Sequence, residues 1–401
     1  MTRMGAGRSA VPTGRADSTA LTGVEAMAAI DPAQLLPDPA LAREVAAERR
    51  ERIRTHAAES GLDGVLIHSW RRGAVTAVSG FAAGFVTNTA SLWLPVDDEP
   101  VLGVRFSFEA ERAGEQSGLR TVASVGGDDL RPASARRIGV ICGDTAVSDG
   151  RAAIIERLSG ERVDVADLTS WFDEQREDKS EAEISGLRRA AHVGDLALRA
   201  ASAAATGDTD FTVAMHVEAR ARSLGAMRAE CLVGFGRGTV VTEPHGATLA
   251  DGDAIGLELN MVHGGFFSHV QATVLPEEPD DIEARAVDLA RRARNAVVSA
   301  LKPGVPVGAA VRAGDAILES AGLSAAKEYD FGHGIGFDTP EHPRLLTDSD
   351  RTIRGSSVVA VHCGLRRPEG ETAYTGGPVL VRAAGASDLV DEPVIVVTRT
   401  R

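Results

Sequence analysis

Histidine is scarce in this chain, 10 among 401 residues. Four stand where chemistry can be imagined: His245 in TEPHG, His269 in FFSHVQAT, His333 in FGHGIG and His362 in VAVHCG. Imidazole exchanges its proton near neutral pH, so it serves as a general acid and base, and its neutral form binds metals. His245 follows Pro244, the setting of a surface loop. His269 alternates with Phe267 and Gln271, so on a strand the three share one face. His333 lies between Gly332 and Gly334, which permit close backbone approach. His362 has only Ala360 and Gly364 beside it on its own strand face, which leaves a hollow. Cys363 points to the opposite face, which argues against a Cys–His nucleophile pair. His263 has the opposite strand parity from Asn260 and reads as peripheral. GFGRG and GHGIG lack the strand–GxGxxG–helix setting of a dinucleotide loop.

These residues need elements to hold them. Residues 1–39, rich in Ala, Gly, Thr and Pro, read as a flexible tail without the apolar run of a secretory signal. From 40 to about 175 the pattern is α/β. A helix over ALAREVAAERRERIRTHAAESG stops at Gly61. Short strands are expected at GVLIHS, AVTAVSGF, SLWLPV, PVLGVRF and RRIGVICG, then a helix at GRAAIIERLSG. A second unit, 176–401, opens at KSEAEISGLRRAA, where Ser180 and Glu183 form a capping box and Ile184, Leu187 and Ala191 line one helix face. Helix FTVAMHVEARARSLG leads to strands ECLVGFG, AIGLELNMVHG and GFFSHVQATVL. The order then repeats loosely: helix, KPGVP turn, helix, and strands SVVAVHCGLR and GGPVLVRA. The expectation is an α/β (α+β) chain whose second unit carries a pseudo-two-fold repeat, with a site where the two sheets of the halves meet.

Composition narrows the partners. Hydrophobic residues make up 43% and charged residues 25%, ordinary for a globular protein. A net charge of −14 disfavours nucleic acid and anionic membranes. No apolar run approaches the roughly 18 residues of a membrane-spanning helix. Three dispersed cysteines, Cys142, Cys231 and Cys363, exclude a disulfide scaffold and fit a reducing cytoplasm.

KSEAEISGLRRAA, TEPHGATLADGDAIGLELN, GGFFSHVQATVL, LKPGVP, FGHGIGF and SSVVAVHCG occur in an order that resembles the creatinase and aminopeptidase P (Xaa-Pro peptidase) family over nearly all of 40–400. The resemblance implies a creatinase-type N-terminal α/β domain followed by a C-terminal pita-bread domain, and a homodimer. Trp70, Arg71 and Phe85 are then candidates to cover a partner's cleft. The peptidases of the family use two Asp, one His and two Glu as metal ligands. Carried over, these positions fall on Asn260, His269, His333, His362 and near Gly376. A carboxylate-bridged dinuclear site is not expected from such residues.

Two readings follow from the resemblance. In the first, which is metal-free like creatinase, His245 is the acid/base and His333 shares the proton transfer or holds substrate. The creatinase carboxylates that bind a guanidinium fall on Gln271 and His362, and its arginine near Asn88, so creatine is not the expected substrate. In the second, His269, His333 and His362 hold a single Zn or Fe, with Asn260 as a weak fourth ligand or a hydrogen-bond donor. His269, His362, Gln271, Asn260, Phe267 and Arg366 are the expected substrate contacts. Arg366 and Arg367 are candidate contacts to an acidic group. Glu243 is a candidate to orient His245, and Glu341 and His342 stand near the family's H-E-x-P stretch. The leading expectation is hydrolysis of a C–N bond in a small metabolite. The alternatives are a three-His lyase, cyclase or oxygen-dependent enzyme, and a non-catalytic pita-bread binding protein.

Overall fold

The computed structural model describes residues 35–70, 73–83, 89–124, 128–142, 148–160, 163–368, 370–390 and 396–399. Arg71, Phe85 and Asn88 lie outside them, as does most of the expected tail. Pro37–Arg401 is one compact unit.

Helix α1 (Pro39–Glu59) starts where Asp38 accepts the Ala40 and Leu41 N–H groups, with proline at its first position. It buries Val45, Ile53 and Ala57. Strands β1 (Gly64–Trp70), β2 (Thr89–Pro95), β3 (Val101–Val104), β4 (Arg120–Ala123), β5 (Arg137–Cys142) and β6 (Asp164–Asp167) form a mixed sheet in the order β4-β3-β2-β1-β5-β6. One expected strand is not a strand. Ala74–Ser79 is a short helix, α2, ended by Gly80 at φ +72°. Every residue in it is buried, so it has no polar face to set a period, and a short apolar run looks alike in either state. Helices α3 (Ser107–Ser117), α4 (Ser148–Gly160) and α5 (Thr169–Glu177) complete this part.

Helix α6 (Glu181–Leu198) begins at the expected Ser180–Glu183 capping box and buries Ile184, Leu187 and Ala191. The rest of the chain is α7 (Asp210–Ser223), β7 (Ala226–Phe235), β8 (Ile255–His263), β9 (Phe266–Leu275), α8 (Asp281–Ala300), α9 (Val307–Ser320), β10 (Gly332–Gly334), β11 (Glu341–Arg344), β12 (Val358–Arg366), β13 (Thr372–Arg382), β14 (Gly385–Asp388) and β15 (Val396–Thr398). Two separate sheets were expected for the two halves. Instead one nine-stranded sheet runs β11-β10-β12-β13-β9-β8-β7, with β14 paired to β13 and β15 to β9, and the halves join at β13–β9 through the pair Gly376–Gln271. Val359, Val361, Cys363 and Leu365 of β12 pack with α8 and α9 in one core. Strand alternation therefore turns Ala360, His362 and Gly364 to the other face, where the site forms.

Candidate metal centre

The register of the sheet brings distant residues into rows. Glu258 on β8 stands opposite Gln271 on β9, Gln271 opposite Gly376 on β13, and Gly376 opposite His362 on β12. One step along, Asn260 pairs with His269. A Cβ on Gly376 would lie 2.3 Å from the His362 Cβ, so only glycine leaves room for that imidazole. His333, on the short β10, reaches the same place from the other side of β12.

His269, His333 and His362 offer ligand atoms that all lie within 4.8 Å of one another. His269 Nδ1 is 3.2 Å from His333 Nε2. His333 Nδ1 is 2.9 Å from the Gly334 carbonyl, so that nitrogen carries the proton and donates it. Its Nε2 is left with the lone pair, aimed at the cluster. His362 Nδ1 is buried without a hydrogen-bond partner. Burial pushes the His333 imidazole down to about 4, helped by the neighbouring His269. Burial, then His269 and His333, hold His362 well below its ordinary value. Both rings are therefore neutral at pH 7 and able to ligate.

Glu258 is the residue that the sequence reading missed. Its Oε1 is 3.5 Å from His269 Nε2. It accepts the Asn260 amide at 2.9 Å and the Gln271 amide at 2.7 Å. Burial raises its pKa, but His269 and the Asn260 amide outweigh that and hold the carboxyl well below the usual range. A signal was available: Glu258 lies two residues from Asn260 and so shares its strand face.

A cavity of about 980 Å³ opens onto this cluster. Glu258, Asn260, Phe267, His269 and His333 line it. Met227, Met261 and Val262 add an apolar wall, and Glu218, Arg222, Arg228 and Glu230 charged groups. None of these seven was singled out from sequence. His362 and Gln271 are buried at 6% and 1% exposure and belong to the layer around the imidazoles rather than to the wall. Tyr329, also missed, stands edge-on to His362 with 5.2 Å between ring centroids.

Other expected residues lie apart. The His245 side chain is 60% exposed, 3.4 Å from Asp210, and is not among the residues lining the cavity. Its Nδ1 faces the backbone carbonyl of Glu243 at 3.4 Å. The Asp210 carboxylate holds that loop by accepting the N–H groups of His245, Gly246 and Ala247. Arg366 is paired with Glu328 at 3.1 Å and Arg367 with Glu371 at 3.4 Å. Glu341 is buried against Lys179 at 2.6 Å, while His342 is exposed. His263 is buried at the end of β8. Cys363 faces the α8–α9 core, with its thiol pushed up to about 12 by burial.

Comparisons with known proteins agree with this architecture. The model of metallopeptidase family M24 matches residues 185–390. A putative dipeptidase of Bacillus subtilis is 25% identical over 222 residues, 54% of this chain and 61% of that protein. A Xaa-Pro dipeptidase of Pyrococcus horikoshii is 24% identical over 196 residues, 48% of this chain and 56% of that protein. The chain thus spans less than two thirds of the length of these relatives. Among solved structures, the prolidase from Pyrococcus horikoshii OT3 superposes with a TM-score of 0.73 at 19% identity, covering 87% of this chain and 100% of that one. The X-Pro aminopeptidase from Thermotoga maritima gives 0.75 at 17% identity, covering 87% and 99%. At such identities the likeness is one of fold, the pita-bread fold. With its nine-stranded sheet, the covering helices and a family match over half its length, the chain belongs to metallopeptidase family M24.

Proposed function

We propose that this protein is a hydrolase of C–N bonds in small molecules, working at a single divalent metal held by His269, His333 and His362. The observation that carries the reading is the convergence of three imidazoles beside a cavity, with one buried ring nitrogen lacking a partner. Two nitrogens bound to one tetrahedral zinc at ~2.0–2.1 Å stand roughly 3.3 Å apart. The 3.2 Å between His269 Nδ1 and His333 Nε2 matches that spacing. The family's bridged metal pair fits less well. Bridging needs anionic oxygens between two cations. Asn260 and Gly376 supply none, and both Glu258 oxygens already accept amide hydrogens.

A metal held by His269, His333 and His362 would supply Lewis acidity toward a carbonyl and would lower the pKa of a water toward about 7. The chain's own residues do the rest. His333 donates through Nδ1 to Gly334, which fixes its ring and leaves Nε2 to bind. Glu258 Oε1, 3.5 Å from His269 Nε2, faces that ring and sets its orientation. Phe267 and its apolar neighbours exclude water from one side of the bound molecule. The exposed position of His245 supports no part for it in proton transfer. The cavity volume suits a dipeptide or a metabolite of similar size. A homodimer and a small-molecule substrate belong to the same proposal.

The test is a panel of small amides and dipeptides offered to the protein before and after chelation, with zinc, iron and cobalt restored singly. Activity that disappears on chelation and returns at one equivalent supports the reading. Undiminished activity in the chelated protein, lost instead in His245→Ala, would establish the metal-free mechanism.

A further inference from the structure

The geometry points to Tyr329 as a positioning residue that fixes which nitrogen of His269 faces the metal. This inference rests on the three-histidine reading. Tyr329 lies on the segment leading into β10, and its hydroxyl meets the Gln271 side chain at 3.2 Å from Oε1 and 2.9 Å from Nε2. The orientation of that amide is set elsewhere. Gln271 Nε2 is 2.7 Å from Glu258 Oε2, and an ionised carboxylate only accepts, so the nitrogen must face it. The Gln271 oxygen then accepts from the Tyr329 hydroxyl.

The phenol thus meets both ends of the amide: it donates to Oε1 and accepts from Nε2, whose two hydrogens go to Tyr329 and to Glu258 Oε2, closer than the 3.5 Å to His269 Nε2. Asn260 and Gln271 hold the carboxylate so that Oε1 faces His269 Nε2 at 3.5 Å. A proton on Nε2 is favoured there, which leaves Nδ1, the nitrogen beside His333, as the ligand. Tyr329 touches neither His269 nor His333 in this chain of contacts; it acts through Gln271 and Glu258. It is itself firmly placed. A Cβ on Gly364 would lie 2.5 Å from its hydroxyl oxygen, so the hollow beside His362 is filled by this phenol. The neighbouring Glu328 N–H donates to the Gly364 carbonyl at 3.0 Å, stitching the segment to β12.

The experiment titrates zinc and cobalt(II) into the full chain, the Tyr329→Phe and Gly364→Ala variants, and His333→Ala as control. Thermal unfolding of each variant identifies any that fails to fold. Tyr329→Phe keeps the ring and removes the hydroxyl that both donates to and accepts from Gln271. The expected result is about tenfold weaker binding of both metals. A changed visible cobalt spectrum should accompany it, which a loss of general stability alone would not cause. Gly364→Ala displaces the phenol by a different route and should shift affinity and spectrum the same way. Wild-type affinity and spectrum in both variants, with binding lost in His333→Ala, overturns the role of Tyr329 and leaves the metal site standing. A wild-type chain that takes up neither metal overturns both.

Discussion

Glycine at position 376 decides what position 362 can be. The two residues are cross-strand partners, and any side chain at 376 would enter the space of the His362 Cβ. Gly376→Ala should therefore displace His362, weaken metal binding and lower stability by about 1–3 kcal/mol, the usual range for overpacking. Calorimetric metal titration and chemical denaturation of the variant read the two effects separately. Unchanged metal affinity would show that His362 is not a ligand. The three histidines were legible as a set through the resemblance, which lays them on three of the family's ligand positions; the structure brings them within 4.8 Å of one another. Glu258 was not, because its place comes from the row Glu258–Gln271–Gly376–His362, which crosses four strands and two halves of the chain. Arg366 reads in the sequence as a candidate contact to an acidic substrate group. Its partner Glu328 lies 38 residues away, and no local pattern announces the pair.

At the scale of elements, an ion pair ties the segment between α5 and α6 to β11. Lys179, just before α6, is 2.6 Å from Glu341 on β11, and Arg176 at the end of α5 is 3.4 Å away. Burial raises the Glu341 pKa, but Lys179 and then Arg176 more than offset this, holding the carboxyl at about 2 against an ordinary 4.5. Because the folded pKa is depressed, the stabilisation is complete above the unfolded value and drains as pH falls from 4.5 toward 2. Denaturation followed between pH 6 and pH 2 should show this loss, and Glu341→Gln should flatten that part of the curve. The same substitution should cost about 3–5 kcal/mol at neutral pH, since it strands a buried lysine. A variant with wild-type stability at both pH values would contradict the assignment. Element boundaries with chemical markers were readable in advance, as the Ser180–Glu183 box was. Ala74–Ser79 was not, since a fully buried apolar run has no polar face to reveal its period.

At the scale of the whole molecule, the fold was readable from motif order, and the continuity of the sheet was not. The two halves meet through the Gly376–Gln271 pair, and the site lies on that seam, drawing His269 from one half and His333 and His362 from the other. Among the described residues no helix is long and apolar enough to cross a membrane. The proposed function requires one metal per chain at this seam. Metal-free protein titrated with zinc in a calorimeter, with the metal content of the complex counted, tests it most directly. One equivalent per chain, lost in His333→Ala and in His362→Ala, is the predicted result. Two equivalents, none, or one that survives both substitutions would contradict it.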